Sequence, residues 1–133
     1  MKITKIEGIG QVYADKLKMA GVSTIDDLLV EAGTKSGRKS LAGQTGIEES
    51  KILTWVNMAD LFRIKGVGPQ FSELLHAAGV DTVKELKTRN AENLYARLVE
   101  VQEKTKITRA VPTLAQVSDF ISQAGSLPPI VTY

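Results

Sequence analysis

The sequence predicts an all-α protein, and three observations support that prediction. The chain has 133 residues, 43% hydrophobic and 24% charged, which is the composition of a folded domain. One segment of 24 residues occurs twice, and each copy places apolar residues at helical spacing between glycine stops. No stretch alternates apolar and polar residues as an exposed strand does. We therefore expect helices joined by short turns.

The repeated segment returns after 58 positions. Residues 6–29 align with residues 64–87 without a gap, and nine of the 24 aligned pairs are identical. Self-similarity at a fixed period indicates a repeated supersecondary unit, so we expect both copies to fold alike. The identical pairs are Ile6/Ile64, Gly8/Gly66, Gly10/Gly68, Leu17/Leu75, Ala20/Ala78, Gly21/Gly79, Val22/Val80, Thr24/Thr82 and Leu28/Leu86.

The similarity continues beyond this segment at an offset of 65. Residues 48–56 resemble residues 113–121, and the aligned pairs include Ile52/Val117 and Trp55/Phe120. The second copy is therefore seven residues longer than the first. We expect the extra residues in a loop at 105–112, where the helical pattern is interrupted.

Glycine stops and capping residues divide each copy into helices. Gly21 ends the first helix, because a residue without Cβ adopts the left-handed conformation at low cost. Thr24 with Asp27 then starts the next helix, and Thr82 with Glu85 does the same in the second copy. Further helices are predicted over residues 36–44, 48–62, 91–103 (capped by Asn90) and 113–124, the last opened by a capping box of Thr113 and Gln116.

These elements predict one compact body of two tandem units, residues 1–62 and 63–126, followed by an apolar tail at residues 127–133. Pro128 and Pro129 make the tail extended. The tail either packs along its own domain or docks on a neighbour, and the sequence leaves both alternatives open.

The composition excludes several kinds of catalytic site. With zero cysteines the chain has no thiol nucleophile, thiolate zinc site or disulfide, and its only histidine, His76, has no evident acid or serine partner. We therefore expect no catalytic residue, no metal and no cofactor. The formal net charge is only +2, so any basic site for a partner must be local.

The chain shows no signal for export or membrane insertion. No apolar run approaches the roughly 18 residues of a membrane span, and the first residues lack the pattern of a signal peptide. We expect a cytoplasmic protein that makes no contact with a membrane.

Both copies carry the pattern apolar-x-Gly-apolar-Gly directly before a helix. These glycines, Gly8 and Gly10 or Gly66 and Gly68, allow a tight turn whose N–H groups point outward at the helix N-terminus. Unpaired donors and the helix dipole stabilise an anion at such a place. Pro69 suits the first helical position of the second copy. Each hairpin therefore either binds a phosphate or only connects two packed helices.

The segments IEGIGQVYADKL and IKGVGPQFSELL resemble helix-hairpin-helix motifs. Their continuations, AGVSTIDDLL and AGVDTVKELK, are similar to segments of archaeal recombinases and of the bacterial RNA polymerase alpha subunit. Over nearly the whole chain, including WVNMADLFRIKGVG and LPPIVTY, the sequence resembles a largely bacterial family, domain of unknown function 4332, built of tandem helix-hairpin-helix repeats.

The resemblance implies a role in binding nucleic acid. In helix-hairpin-helix proteins that bind DNA, hairpin amides hold a phosphate oxygen independently of base sequence. The positions that match here are Gly8, Gly10 and Val12 with the nearby Lys5 and Lys16, and Gly66, Gly68 and Gln70 with the nearby Arg63 and Lys65. The nucleases of the superfamily keep their catalytic carboxylates in a separate domain, so the resemblance does not imply an enzyme.

The sequence departs from the DNA-binding pattern at one position of each hairpin. Many such proteins carry a Lys or Arg two residues after the second glycine, where this chain has Val12 and Gln70. Asp15 and Glu73 follow one helical turn later. Two hypotheses remain: a weak, sequence-independent contact with a DNA duplex or other nucleic acid, strongest at the second hairpin, or a protein-interaction or scaffold module built from the same helices.

Three other features have alternative interpretations. Residues 41–52 have the spacing of a helix-turn-helix, but two acids open the second helix, which favours a simple helix pair. Trp55 lies at helical spacing with Ile52, which favours a core position over a base-stacking platform. Basic clusters form either solvated faces or a strip along a phosphate backbone: Lys35, Arg38 and Lys39; Lys84, Lys87 and Arg89; Lys104, Lys106 and Arg109.

Overall fold

The structure, a computed structural model, describes all residues from 1 to 133. All of its regular secondary structure is helical, apart from one isolated bridge between Lys2 and Thr24. The all-α prediction is confirmed. No helix in the structure is both long enough and apolar enough to span a bilayer. In chain order the elements are a 3₁₀ turn Ile3–Lys5, α1 Gln11–Met19, α2 Ile25–Ala32, α3 Lys35–Thr45, α4 Glu49–Leu61, α5 Pro69–Ala77, α6 Val83–Leu86, α7 Ala91–Thr105 and α8 Leu114–Ser126.

The helices begin and end within two residues of the predicted boundaries, because capping residues determine them. The side chain of Thr34 accepts a hydrogen bond from the Gly37 N–H and starts α3. The predicted capping box of Thr113 and Gln116 is present at the start of α8. Helix α7 continues two residues beyond the predicted end and stops at Lys106, which has a left-handed φ of 54°.

The chain divides into two units. The first unit consists of Met1–Asp60 together with Ile130–Tyr133, and the second of Leu61–Pro129. The chain therefore passes from the first unit to the second after Asp60 and returns after Pro129. The predicted boundary after residue 62 lies two residues beyond the observed one, and the last four residues of the predicted tail belong to the first unit.

Each unit has its own helix packing. In the first unit, α3 packs against α1 and α2. In the second unit, α7 packs against α5 and α8, and α6 packs against α8. Aliphatic side chains from all four of these helices fill the core of the second unit, including Leu74, Leu75, Leu86, Leu94, Leu98 and Val117. Burial of this apolar surface is the main source of stability for the unit.

The two copies of the repeat adopt the same local structure. Helices α1 and α5 are both nine residues long, and their bounds differ by 58 positions. Gly8 and Gly66 have φ angles of 94° and 96°, in the left-handed region that favours glycine. Thr24 and Thr82 start the following helices by accepting a hydrogen bond from the backbone N–H three residues later.

An aromatic ring packs against the left-handed glycine of each hairpin. Helices α4 and α8 are both 13 residues long and are related by the offset of 65. A Cβ at Gly8 would lie 3.2 Å from Nε1 of Trp55, and a Cβ at Gly66 would lie 3.0 Å from a ring carbon of Phe120. Trp55 is buried in this contact, which confirms its core position and excludes a base-stacking platform.

The additional length of the second copy is distributed differently from the prediction. The connection after α7 is five residues longer than the one after α3, and α7 itself is four residues longer than α3. The stretch between the caps Thr82 and Asn90 is two residues shorter than that between Thr24 and Thr34. The prediction that all seven extra residues lie in the loop at 105–112 was wrong, because that connection accounts for five of them and differences elsewhere in the copy account for the other two.

We expect Gly66→Ala to destabilise the protein and Gly68→Ala to have little effect. A left-handed φ costs an L-residue roughly 1–2 kcal/mol, and the new methyl would also meet Phe120. Gly68 has a φ of −97° and open space where its Cβ would be, so alanine there should cost less than about 1 kcal/mol. Urea unfolding measures the unfolding free energy of both variants. An equal decrease in the two would contradict the role assigned to the left-handed glycine and its aromatic contact.

We also expect Asp27 to make stability depend on pH in the acid range. Asp27 Oδ2 accepts hydrogen bonds from the N–H groups of Ser23 and Thr24, and these bonds lower the pKa of its carboxyl. A carboxyl whose pKa falls on folding stabilises the fold above its unfolded pKa, and this stabilisation is lost as pH falls through the folded pKa. Asp27→Asn should therefore reduce the unfolding free energy at pH 7 and have a much smaller effect at pH 2.

Urea unfolding of the Asp27 variant at the two pH values is the measurement. Asp26→Asn, an exposed neighbour in the same helical turn, is the matched control. A loss for Asp27→Asn that is the same at both pH values would show that the carboxylate charge is not involved.

Candidate functional site

The first hairpin places free backbone donors on the surface. Gly10 is the N-cap of α1, and the first helical hydrogen bond runs from Ala14 N to Gly10 O over 2.9 Å. The N–H groups of residues 11–13 precede that bond and have no carbonyl of the helix to reach. Gly8, Gly10 and Val12 are all exposed. The backbone at this end of α1 can therefore accept an anion.

Lysines surround the first hairpin, and one of its acids is held by a neighbour. Lys5 and Lys16 are both exposed, and Nζ of Lys16 lies 5.9 Å from the ring centroid of Tyr13. Asp15 accepts a hydrogen bond of 2.7 Å from the side chain of Gln11. Val12, at the position where the resemblance leads one to expect a cation, is 69% exposed.

The second hairpin has the same turn but one donor fewer. Gly68 is the N-cap of α5, and Ser72 N donates to Gly68 O over 2.9 Å. Pro69 is the first helical residue and has no N–H, so only residues 70 and 71 offer helix-terminal donors. A shallow concave surface, lined by Gly66, Gly68, Pro69, Gln70 and Phe71, lies beside these donors.

At the second hairpin, the structure commits one of the two predicted basic side chains to another contact. Nη2 of Arg63 donates a hydrogen bond of 2.6 Å to the carbonyl of Pro128. The backbone of Lys65 is held by Gln123, whose Oε1 accepts from Lys65 N and whose Nε2 donates to Lys65 O. The side chain of Lys65 remains exposed. Of the two predicted cations, Lys65 is therefore the one that stays on the surface.

Gln123 is the residue of this region that the sequence did not identify. It belongs to α8 and lies 58 positions from Lys65, and its side chain also bonds to Asp119 one turn earlier. A glutamine at an ordinary helical position carries no pattern that marks a contact with a distant backbone.

Two further predicted cations make contacts within the fold. Arg38 is only 4% exposed, and its guanidinium donates to the carbonyls of Ala32, Gly33 and Thr132. Arg89 pairs with Glu85 at 2.6 Å and donates to the carbonyl of Gly79. Arg38 therefore belongs neither to a solvated face nor to a phosphate strip, because its partners are backbone carbonyls that the sequence does not reveal. Arg89 stays partly exposed, and its side-chain partner lies one helical turn earlier.

His76 has a neighbour that sequence inspection missed. Its Nδ1 lies 3.5 Å from Oδ1 of Asp81, in the turn between α5 and α6, at a distance too long for a well-formed hydrogen bond. The structure contains no group of three or more His, Asp or Glu side chains arranged to hold a metal ion. The pair is thus a local ion-pair contact when the imidazole is protonated.

The comparison with known families gives one match. A family model described as Domain of unknown function (DUF4332) matches residues 7–127. The match covers both hairpins and all eight α-helices, and it leaves out only the first six residues and the last six. No solved structure matches the chain significantly.

We expect Gln123→Ala to loosen the second hairpin. Two hydrogen bonds to the backbone of Lys65 would be lost, each worth about 1 kcal/mol in net stability. Hydrogen–deuterium exchange should become faster at the Lys65 amide, and Ser122→Ala, an exposed neighbour on α8, is the control. Unchanged exchange at Lys65 in the Gln123 variant would show that this contact does not hold the hairpin.

Proposed function

The chain belongs to the family described as a domain of unknown function (DUF4332), and we propose that it is a non-catalytic module that binds nucleic acid. Its two glycine hairpins act as helix-hairpin-helix motifs, which contact the phosphate backbone weakly and without base preference. The observation that carries the proposal is that the same exposed turn before a helix N-terminus occurs twice, with left-handed glycines at equivalent positions.

The chemistry follows from the backbone. N–H groups of the first helical turn have no helical acceptor, and the helix dipole adds partial positive charge at the same place. A phosphate oxygen satisfies these donors and is stabilised by the dipole. Contacts of this kind position a duplex without reading its sequence. Each hairpin can therefore hold one phosphate of either strand.

The charges favour the first hairpin over the second. Lys5 and Lys16 are both exposed beside the first hairpin. At the second hairpin Arg63 donates to a backbone carbonyl and Pro69 removes one N–H. This order reverses the expectation from the sequence, which rested on the fuller helix before the second hairpin, on Pro69, and on the adjacent Arg63 and Lys65.

A specific variant tests the proposal by adding the missing cation. Wild-type protein should bind a generic duplex with a dissociation constant of about 10⁻⁴ to 10⁻⁶ M at physiological salt. Neutralising two or three phosphates predicts a slope of log K against log salt of about −2 to −3. Val12→Lys should tighten binding and make that slope steeper by about 0.9, since one more phosphate is neutralised. Fluorescence anisotropy across salt concentrations measures both quantities.

Val30→Lys is the matched control for this experiment. Val30 is 79% exposed on α2, in the same unit as Val12, and the change adds the same charge away from the hairpin. If both variants raise the affinity and steepen the salt slope equally, the effect comes from the added net charge and not from a contact at the hairpin. Absence of duplex binding by the wild-type protein at low salt would refute the nucleic-acid proposal.

One observation favours a protein-interaction module as the second candidate. Val12 and Met19 are seven residues apart on α1, which places them on one side of the helix, and they are 69% and 91% exposed. Exposed apolar side chains on one helix face are typical of a docking surface. If duplex binding is absent, capture of cellular proteins that is lost in a Met19→Lys variant would support this candidate.

A further inference from the structure

We propose that the site that holds Ile130–Tyr133 also receives the same four residues of a second copy of this chain, so that two chains can exchange their tails. We call this site in the first unit the tail site. Its ligand is a peptide segment, and the two possible donors of that segment, the same chain or a second copy, make identical contacts.

The tail site binds peptide backbone on both sides of one residue. Thr132 N donates to the carbonyl of Gly33 over 2.8 Å, and Thr132 O accepts from Nη2 of Arg38 over 2.6 Å. The acceptor is the carbonyl at the C-terminal end of α2 and the donor is a buried side chain on α3, so the site holds the peptide backbone of Thr132 through both of its polar groups.

Side-chain contacts on either side of Thr132 add specificity. Val131 is 4% exposed, and the Tyr133 hydroxyl lies 3.3 Å from Oδ1 of Asn57, to which it donates. The Tyr133 ring centroid is 5.9 Å from the guanidinium carbon of Arg38. The preferred ligand is thus a segment with a branched apolar residue followed two positions later by a tyrosine.

The site is shaped for an occupant at close range. A Cβ at Gly33 would lie 2.6 Å from the carbonyl oxygen of Leu29 and 3.1 Å from that of Ile130, so glycine leaves room here both for the end of α2 and for the tail. Arg38 is buried, and without Thr132 one nitrogen of its guanidinium would lose its hydrogen-bond acceptor. Leaving a buried charged donor unpaired is costly, so an occupied site is strongly favoured.

The connection to the tail favours a second copy as the alternative donor. Pro128 is held by Arg63 in the second unit, and Ile130 already belongs to the first unit, so Pro129 alone separates the two anchored residues. A short, stiff connection of this kind favours domain swapping, because opening it relieves restraint while exchange restores every contact. The chain's own tail has an effective concentration on the order of millimolar, so exchange should appear as the protein concentration approaches that value.

Complementation between two variants gives the sharpest test. Val131→Asp keeps the tail site and disables the tail, whereas Arg38→Leu keeps the tail and disables the site. Each variant, unfolded and refolded alone at high concentration, should remain monomeric in sedimentation velocity. The two refolded together should form a one-to-one heterodimer, while wild-type protein should form a dimer fraction that rises with its concentration during refolding.

A hinge variant keeps the test decisive if Arg38→Leu does not fold. Insertion of Gly-Ser-Gly between Pro129 and Ile130 leaves all tail contacts intact and relaxes the connection. The dimer fraction of this variant should therefore be severalfold lower than that of the wild-type protein. The same insertion in the loop between Lys106 and Ile107 should leave it unchanged. Wild-type protein that stays monomeric after refolding at about millimolar concentration, or a dimer that persists in Val131→Asp, would overturn the proposal.

Discussion

The packing of an aromatic ring against a left-handed glycine is the contact on which each half of this protein depends. Trp55 covers Gly8, and Phe120 covers Gly66. Glycine is strongly favoured at both positions, because the backbone has a positive φ and a Cβ would make a tight contact with the ring. Two residues later the N-cap glycine starts a helix, so the direction of the exposed N–H groups follows from a buried contact. A surface property thus rests on core packing.

The two copies use the same turn under different constraints. The first hairpin keeps exposed lysines beside a full set of helix-terminal donors. The second hairpin replaces one donor with Pro69, ties the backbone of Lys65 to α8 and commits Arg63 to the carbonyl of Pro128. The same turn therefore carries exposed positive charge in the first copy, whereas in the second copy its surroundings make contacts within the fold.

Local signals made most of the fold predictable, and long-range contacts made the rest unpredictable. The offset of 58 and the capping threonines located α1, α5 and the helices that follow them, because glycine turns and caps act within a few residues. Arg38, by contrast, looks like a surface cation in the sequence, since its acceptor Thr132 lies 94 positions away. The contacts of Gln123 and the position of Thr132 were not predictable for the same reason: their partners are distant in the sequence, and backbone atoms are chemically alike at every position.

The return of the tail to the first unit has a consequence for the order of synthesis. Translation completes all of Leu61–Pro129 before it produces the four residues that finish the first unit. Until then the nascent first unit has its buried arginine without the carbonyl of Thr132, and its stability is incomplete. The half of the molecule that leaves the ribosome first is therefore the half that matures last.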